Sequence, residues 1–360
     1  MRCATFSSKR RALVGLAFLV LAVAARAENG NLLASIDREV SALFEKSRDA
    51  VVKVHAERVA SAGNLVVAPA RRCGTGFFID LEGRLLTAAT VIEAADRCWI
   101  EWRGHSVPAR VVGRDALTNL ALLQVDPASC GGDIPALPMG DSGSLRVGSM
   151  LIAIGFPYEM PSAPAVGFVS GFDITCGART FPVAHIRSSC RLSPGQAGAP
   201  LLDVKGAVVG IAVAAHNDDH CLVLPIKAAL KVCDDIRQFG QPRHARVGLA
   251  VMDRLVPGAA AHWQVSVRQV LSNSPAASAG FLAGDVLLRV STNDIRRASD
   301  VLDVMFAYRP GDLLSFTVLR DGNEREISVV ADARPAEPSQ TAQPVSSRRL
   351  PQIVPASGIK

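Results

Sequence analysis

Between Val51 and Leu224 the chain is a succession of short apolar runs, each bounded by Gly, Pro or charged turns. Val51-Val52-Lys53-Val54, Gly76-Phe77-Phe78-Ile79, Leu85-Leu86-Thr87, Cys98-Trp99-Ile100-Glu101-Trp102 and Leu120-Ala121-Leu122-Leu123 form one series. Met150–Ile154, Ala165–Ile174, Val183–Arg187, Ala199–Leu202, Val208–Ala214 and Cys221–Leu224 form a second. Segments this short, bounded by turn signals such as Asp80-Leu81-Glu82-Gly83, read as strands. Two sets of about six at this spacing predict a mostly β fold made of paired antiparallel β-barrels. Two helices flank them. Leu33–Arg48 places Ile36, Val40, Leu43 and Phe44 on one face at helical spacing, and Ile226–Phe239 is closed by Gly240-Gln241-Pro242.

A separate unit is expected over 245–332. It holds strands Val247–Met252, Gln269–Leu271 and Val286–Val290, and a small helix opened by Ser274-Pro275 and ended at Ala279-Gly280. A second helix over Ser299–Phe306 precedes strands Ser315–Leu319 and Glu326–Val330, joined by an Asp321-Gly322 turn. The stretch 333–360 is rich in Pro, Ser, Gln and Ala, a composition that predicts a disordered tail.

The N-terminus reads as an address. Lys9, Arg10 and Arg11 precede the apolar run Ala12–Ala24, and Ala25-Arg26-Ala27 is a small-x-small cleavage signal. Residues 1–27 are therefore expected to be a secretory signal peptide whose apolar part falls short of the ~20 residues of a membrane span. They hold five of the 39 basic residues and no acidic one, leaving 34 basic against 33 acidic. That balance gives no basis for nucleic-acid binding, which needs a dense basic face. Seven cysteines remain, none in a Cys-x-x-Cys pair, so disulfides of an oxidising compartment are expected. Connectivity does not follow from sequence; the pairings expected are Cys73 with Cys98 and Cys190 with Cys221.

The chemistry is concentrated in Arg191–Pro200, where Gly195-Gln196-Ala197-Gly198 feeds a buried strand. A Gly-x-x-Gly turn of this kind lets backbone N–H groups point inward at a developing oxyanion. Its central residue is Ala197, and a methyl group cannot attack a carbonyl.

On these residues the chain resembles the HtrA family, secreted trypsin-like serine proteases with C-terminal PDZ domains. The resemblance rests on Gly74-Thr75-Gly76-Phe77-Phe78-Ile79, Gly83-Arg84-Leu85-Leu86-Thr87-Ala88-Ala89-Thr90-Val91, Val112-Gly113-Arg114-Asp115 and Thr118-Asn119-Leu120-Ala121-Leu122-Leu123. Leu137-Pro138-Met139-Gly140-Asp141-Ser142, Leu145-Arg146-Val147-Gly148, Ala153-Ile154-Gly155-Phe156-Pro157 and Gly195–Pro200 continue it in family order. It implies a trypsin-like double β-barrel over 51–240, behind an N-terminal segment over 28–50, followed by one PDZ domain over 245–332. It also implies where the machinery should be. Thr90 stands where the family carries its catalytic histidine, Asn119 where it carries the orienting aspartate, and Ala197 where it carries the nucleophilic serine. A serine hydroxyl needs a base, and the base an anionic partner; these three side chains supply none of the roles. A remnant oxyanion loop at Gly195 and Gln196 is all that is expected to remain.

The resemblance thus implies an exported, periplasmic pseudoprotease that binds polypeptide segments or C-termini in a chaperone-like or regulatory role. No cofactor is implied. The family's partners would be polypeptides, an active relative, and copies of itself in a homo-trimer. In the PDZ-like unit, Arg246, Val247, Gly248 and Leu249 occupy the place of the loop that receives a peptide's terminal carboxylate on backbone N–H groups. Two other readings stand beside this one. The first is an active endopeptidase using unconventional residues. The second is a metal-binding protein through His216 and His220, although Asn217-Asp218-Asp219 between them favours a polar hairpin loop without metal. Ser193 reads as a hydrogen-bonding loop residue, His185 as a strand histidine, and Arg348-Arg349 as part of a solvated tail.

Overall fold

The computed structural model describes residues 32–58, 61–62, 65–66, 70–176, 179–215, 219–256 and 262–334; the expected signal peptide, His216 and the tail from 335 onward lie outside them. Two closed six-stranded barrels make up most of it. The first runs Val51–Arg58, Ala70–Phe78, Arg84–Ala88, Leu120–Val125, His105–Asp115 and Arg97–Trp102 in spatial order. The second runs Ala163–Cys176, Arg179–Ser188, Cys221–Pro225, Val208–Ala215, Pro200–Leu202 and Met150–Gly155. Every pairing within them is antiparallel, and closure leaves no edge.

The strand His105–Asp115 is the one that the sequence pattern misses. It shows no run of apolar residues, because it carries Pro108, Arg110 and Arg114 and its register slips between Val111 and Gly113. Its pairing on both sides comes from its neighbours.

Each barrel encloses its own core, the first around Val54, Phe78, Leu85 and Leu123, the second around Leu151, Leu201 and Val223. A third cluster lies between them. Here α1 denotes Leu32–Ser47 and α2 denotes Ile226–Phe239. The cluster joins Phe77, Leu86 and Leu122 to Ile152, Leu202 and Ile211, and to α2. Val40, Leu43 and Phe44 of α1 pack onto it, whereas Ile36 is exposed. α2 spans the residues predicted for it and ends at Gly240, whose φ of 75° gives the left-handed cap that glycine adopts without strain.

The PDZ-like sheet has the order Leu249–Val256, His262–Val270, Val286–Val290, Leu313–Arg320 and Asn323–Val330, with short helices α3 (Pro275–Ser278) and α4 (Ala298–Ala307). Its strands run longer than the sequence suggests at His262–Val270. Asp321 and Gly322 both have positive φ, the geometry of a tight hairpin.

The unit docks on the barrels through Phe306, which joins the inter-barrel cluster, and through polar contacts. α4 lies along Arg179–Ser188, where Ala184 N donates to Asp303 Oδ1 at 2.7 Å. Arg309 Nε donates to Asp235 Oδ1 on α2 at 2.6 Å. Asp235 is fully buried, and it also accepts from Lys231 Nζ at 2.8 Å and Arg243 N at 2.9 Å. In the segment joining the two units, His244 Nε2 lies 2.9 Å from the buried carboxylate of Asp115. Burial pulls the Asp115 and Asp235 carboxyls upward, but His244 on one side and Lys231 with Arg309 on the other hold both below their ordinary value of 3.8. A depressed carboxyl contributes stability that is present above its unfolded value and is lost as pH falls through the folded one. The thermal midpoint is therefore expected to fall as pH drops below about 3.8, the change becoming shallower in Asp115→Asn; a melting series in acetate and formate buffers checks this.

Among the described residues Cys73, Cys98, Cys130, Cys190, Cys221 and Cys233 carry free thiols. The expected Cys73–Cys98 bridge is corrected by the register. Cys73 pairs with His55 on one side of the strand Val51–Arg58, and Cys98 pairs with Ala56 on its other side. Two strand spacings, roughly 10 Å, separate them, and side chains one residue apart in register face opposite sides. A disulfide reaches about 7 Å between Cα atoms. Cys190 and Cys221 do come together in the core of the second barrel, both within reach of Ser188.

Candidate active-site cleft

Thr90 and Asn119 contact each other, and Asn119 also reaches Val213 of the second barrel. Thr90 sits on the turn after Arg84–Ala88, and Asn119 on the turn before Leu120–Val125. Asn119 has φ of 58°, a left-handed conformation that asparagine tolerates better than most residues. Its Oδ1 accepts from Thr90 N at 2.8 Å, and Nδ2 donates to Val213 O at 2.6 Å and lies 3.3 Å from Thr90 Oγ1. Ala89 N donates to Asn119 O at 3.0 Å. The amide thus bridges the two barrels with both of its ends engaged. In the orientation shown it presents a donor toward residue 90, where an imidazole would need an anionic acceptor.

Ala197 lies in the turn across from them. Thr75 N donates to Ala197 O at 2.8 Å and Thr75 Oγ1 to Gly195 O at 2.8 Å, while Phe156 N donates to Thr75 Oγ1 at 3.2 Å. Thr75 is the hub that sequence reasoning misses; its only signal is a polar residue between two glycines. Gly198, at φ of 89°, fits against Thr75 O and Thr87 Oγ1 with no room for a side chain. Buried Gln196 closes the turn, its Oε1 accepting from Ser193 N at 2.8 Å.

The backbone N–H groups of the turn have a defined direction. Tyr158 N donates to Pro194 O at 2.7 Å, so the Pro194–Gly195 peptide has its carbonyl held by the loop Pro157–Glu159. In a trans peptide the N–H points the opposite way, away from that loop. Among the described residues the Gly195 and Ala197 N–H groups have no protein acceptor. Two free amides on one turn are the donors an oxyanion needs.

The remaining candidates fall elsewhere. His185 is buried, Nδ1 3.0 Å from Val183 O and its ring against Phe181, away from the turn. His216 lies outside the described residues. Burial, with Glu159 beside it, pushes Cys73 up to about 11, and burial alone does the same to Cys98.

In the PDZ-like unit Leu249–Val256 is an edge strand. Val247 is buried, with its carbonyl accepting from Ala276 N, and Arg246 is drawn to Asp332 in a separate two-residue bridge. Gly248 has φ of 85° and packs on Ser274, so its glycine is already required by the turn itself. Gly248 and Leu249 are the two of the four that border the free edge.

Comparisons agree with this architecture. The trypsin-like peptidase domain family matches residues 74–211, and the PDZ domain family matches residues 210–330, reaching back into the last barrel strands. A protein of Marinomonas sp. named "Probable periplasmic serine endoprotease DegP-like" is 30% identical over 293 residues, covering 78% of this chain and 61% of its own length. A Hahella chejuensis protein of the same name is 27% identical, covering 79% and 62%. The chain thus spans about three-fifths of the length of these relatives. Among solved structures, the HtrA-type protease AlgW with a tripeptide superposes with a TM-score of 0.67 at 24% identity, covering 83% of this chain and 98% of that one. A serine endoprotease from Yersinia pestis superposes with a TM-score of 0.57 at 22% identity, covering 82% and 98%. In fold and domain order the chain is a trypsin-like peptidase domain followed by one PDZ domain, and the curated proteins it resembles are named DegP-like.

Proposed function

We propose that this HtrA-type chain binds polypeptide segments or C-termini without cutting them, as a holder of unfolded chains or a regulatory partner of an active relative. The observation that carries the reading is the Thr90–Asn119–Val213 bridge opposite Ala197. Read as the place of a proton relay, it holds an amide and two groups of no useful basicity, and the turn with the free Gly195 and Ala197 amides carries a methyl side chain at residue 197. Such a cleft keeps donors for a peptide carbonyl and lacks the means to break it. Peptide binding is supported further by the free edge of Leu249–Val256 beside Gly248, onto which a peptide can add as a strand, and by AlgW having been crystallised with peptides. The relatives carry periplasmic names, and the same compartment is proposed for this chain.

Purified protein incubated with unfolded casein and a serine-reactive phosphonate is expected to show neither cleavage nor labelling. Ordinary turnover, contaminants excluded, would overturn the reading in favour of an endopeptidase with unconventional residues. The PDZ part is tested separately by fluorescence anisotropy with one apolar peptide carrying a free or an amidated C-terminus. Amidation removes a charge-assisted hydrogen bond and is expected to weaken binding roughly 10- to 100-fold; equal affinities would remove Gly248 and Leu249 from the proposed carboxylate loop.

A further inference from the structure

His55, Cys73 and Glu159 are brought together by three different elements. His55 and Cys73 are register partners on adjacent strands of the first barrel, and Glu159 reaches them from the loop Pro157–Glu159 of the second. Their ligand atoms (an imidazole nitrogen, Sγ and a carboxylate oxygen) all lie within 4.8 Å of one another. We propose that these three side chains form a site for one thiophilic divalent cation of the zinc type, with solvent as the fourth ligand.

The donor set selects the ion. A thiolate and an imidazole suit zinc and cobalt, and leave calcium and magnesium, which need oxygen ligands, without a site. One thiolate and one carboxylate carry two negative charges against the two positive charges of the ion. Binding transfers the Cys73 thiol proton to solvent and forms the metal–sulfur bond in its place. Zinc bonds of about 2.0–2.3 Å draw the three donors about an ångström closer than 4.8 Å. The exposed Glu159 side chain makes the largest part of that move, and half-buried Cys73 and His55 close on each other by small side-chain rotations.

The surroundings support the imidazole as a ligand. Glu101 Oε2 lies 3.4 Å from His55 Nε2, and the ring stacks on Trp99 with centroids 5.3 Å apart and planes 14° from parallel. With the Nε2 proton on the Glu101 side, Nδ1 keeps its lone pair for the ion, the second-sphere arrangement that metal-ligating histidines use. The neighbouring cations are engaged elsewhere. The Lys53 ammonium lies 3.3 Å from the same Glu101 carboxylate, and the Arg71 guanidinium lies over the Trp99 ring and 3.7 Å from Glu57.

The position makes the ion a clip across the two barrels. Cys73 precedes Gly74-Thr75, the segment whose Thr75 holds Ala197 and Gly195, and Glu159 follows Tyr158, whose N–H holds the Pro194 carbonyl. Occupancy would fix the loop that sets the direction of the Gly195 N–H. The site itself stands whether or not the cleft cuts peptides.

Cobalt(II) titrated into the purified full chain tests the assignment. A single equivalent is expected to bring up a thiolate-to-cobalt charge-transfer band and strong tetrahedral d–d absorption, both displaced by zinc. Cys73→Ser is expected to abolish the charge-transfer band and Cys98→Ser to keep it, while Glu101→Gln weakens cobalt affinity about 10-fold or more. A site at His216 and His220 has no thiolate and gives no such band. As a check that needs no variant, zinc is expected to protect the Cys73 peptide of the wild-type chain from alkylation, read by mass spectrometry. Absence of the band, its survival in Cys73→Ser, or unchanged Cys73 alkylation with zinc would overturn the proposal.

Discussion

The triple variant Thr90→His, Asn119→Asp, Ala197→Ser is expected to digest unfolded casein where the wild-type chain does not. Asn119 Oδ1 already accepts from the backbone N–H of residue 90, so an aspartate there keeps that bond and turns its second oxygen toward the imidazole Nδ1–H. A serine introduced at position 197 would enter a turn whose amides at positions 195 and 197 have no other acceptor among the described residues, so the oxyanion donors need no rearrangement. One contact opposes the change. Asn119 Nδ2 donates to Val213 O at 2.6 Å, and a carboxylate there faces a carbonyl. The two oxygens must move apart, which costs stability and some alignment.

The decisive comparison is the double variant Thr90→His, Ala197→Ser with Asn119 retained. Its amide donates to Nδ1 and leaves the proton on Nε2, so the ring cannot accept from the serine. Losing that one role lowers turnover by about 10⁴-fold in serine proteases, and losing the set by about 10⁶-fold. Casein release assayed on the wild type, the double and the triple variant should therefore rise steeply only at the last step. Equal rates in the double and triple variants would mean that Asn119 does not occupy the orienting position. A folded but inert triple variant would show that the turn is not competent for acyl transfer.

Asp235→Ala is expected to destabilise the chain by about 3–5 kcal/mol, the cost of leaving a buried charge cluster without its partner. The Asp235 carboxylate gathers Lys231, Arg309 and the backbone N–H of Arg243 while itself fully buried. Removing it strands a lysine that is nearly buried and cuts the ion pair from α2 to the PDZ-like unit. Urea unfolding should show the midpoint falling. Limited proteolysis should show earlier cleavage between Phe239 and Val247, where the two units part. Arg309→Ala should cost less, because Arg309 is a third exposed and Lys231 continues to neutralise the aspartate. A loss of under about 1 kcal/mol in Asp235→Ala would mean that the cluster contributes little to docking.

How much of this was legible in the sequence varies with the range of the interaction. Alternating and clustered apolar residues predicted eleven of the twelve barrel strands, because burial on a face leaves a local pattern. The strand His105–Asp115 left none, since its place is set by pairing on both edges and a slipped register. α2 and the Asp321-Gly322 turn were predicted from capping and turn residues, whose preferences operate within a few positions. The Cys73–Cys98 expectation failed for the opposite reason. Cys73 and Cys98 lie far apart in the chain, and no local rule says that the strand Val51–Arg58 runs between them with His55 and Ala56 facing opposite ways.

The sequence alone named Thr90, Asn119 and Ala197 as the three positions proposed for the cleft, since the flanking motifs are local and in order. Only the tertiary structure decided what those side chains do there. Asn119 meets Val213, Thr75 reaches Gly195 and Ala197, and Glu159 comes to His55 and Cys73, each contact crossing from one barrel to the other. Within the second barrel, Tyr158 orients the Pro194 peptide. The crossing contacts exist because the cluster of apolar side chains between the barrels brings the two walls of the cleft together. Asn119 and Val213 are 94 positions apart, and Thr75 and Gly195 are 120 apart, so no shared local pattern announces that they meet.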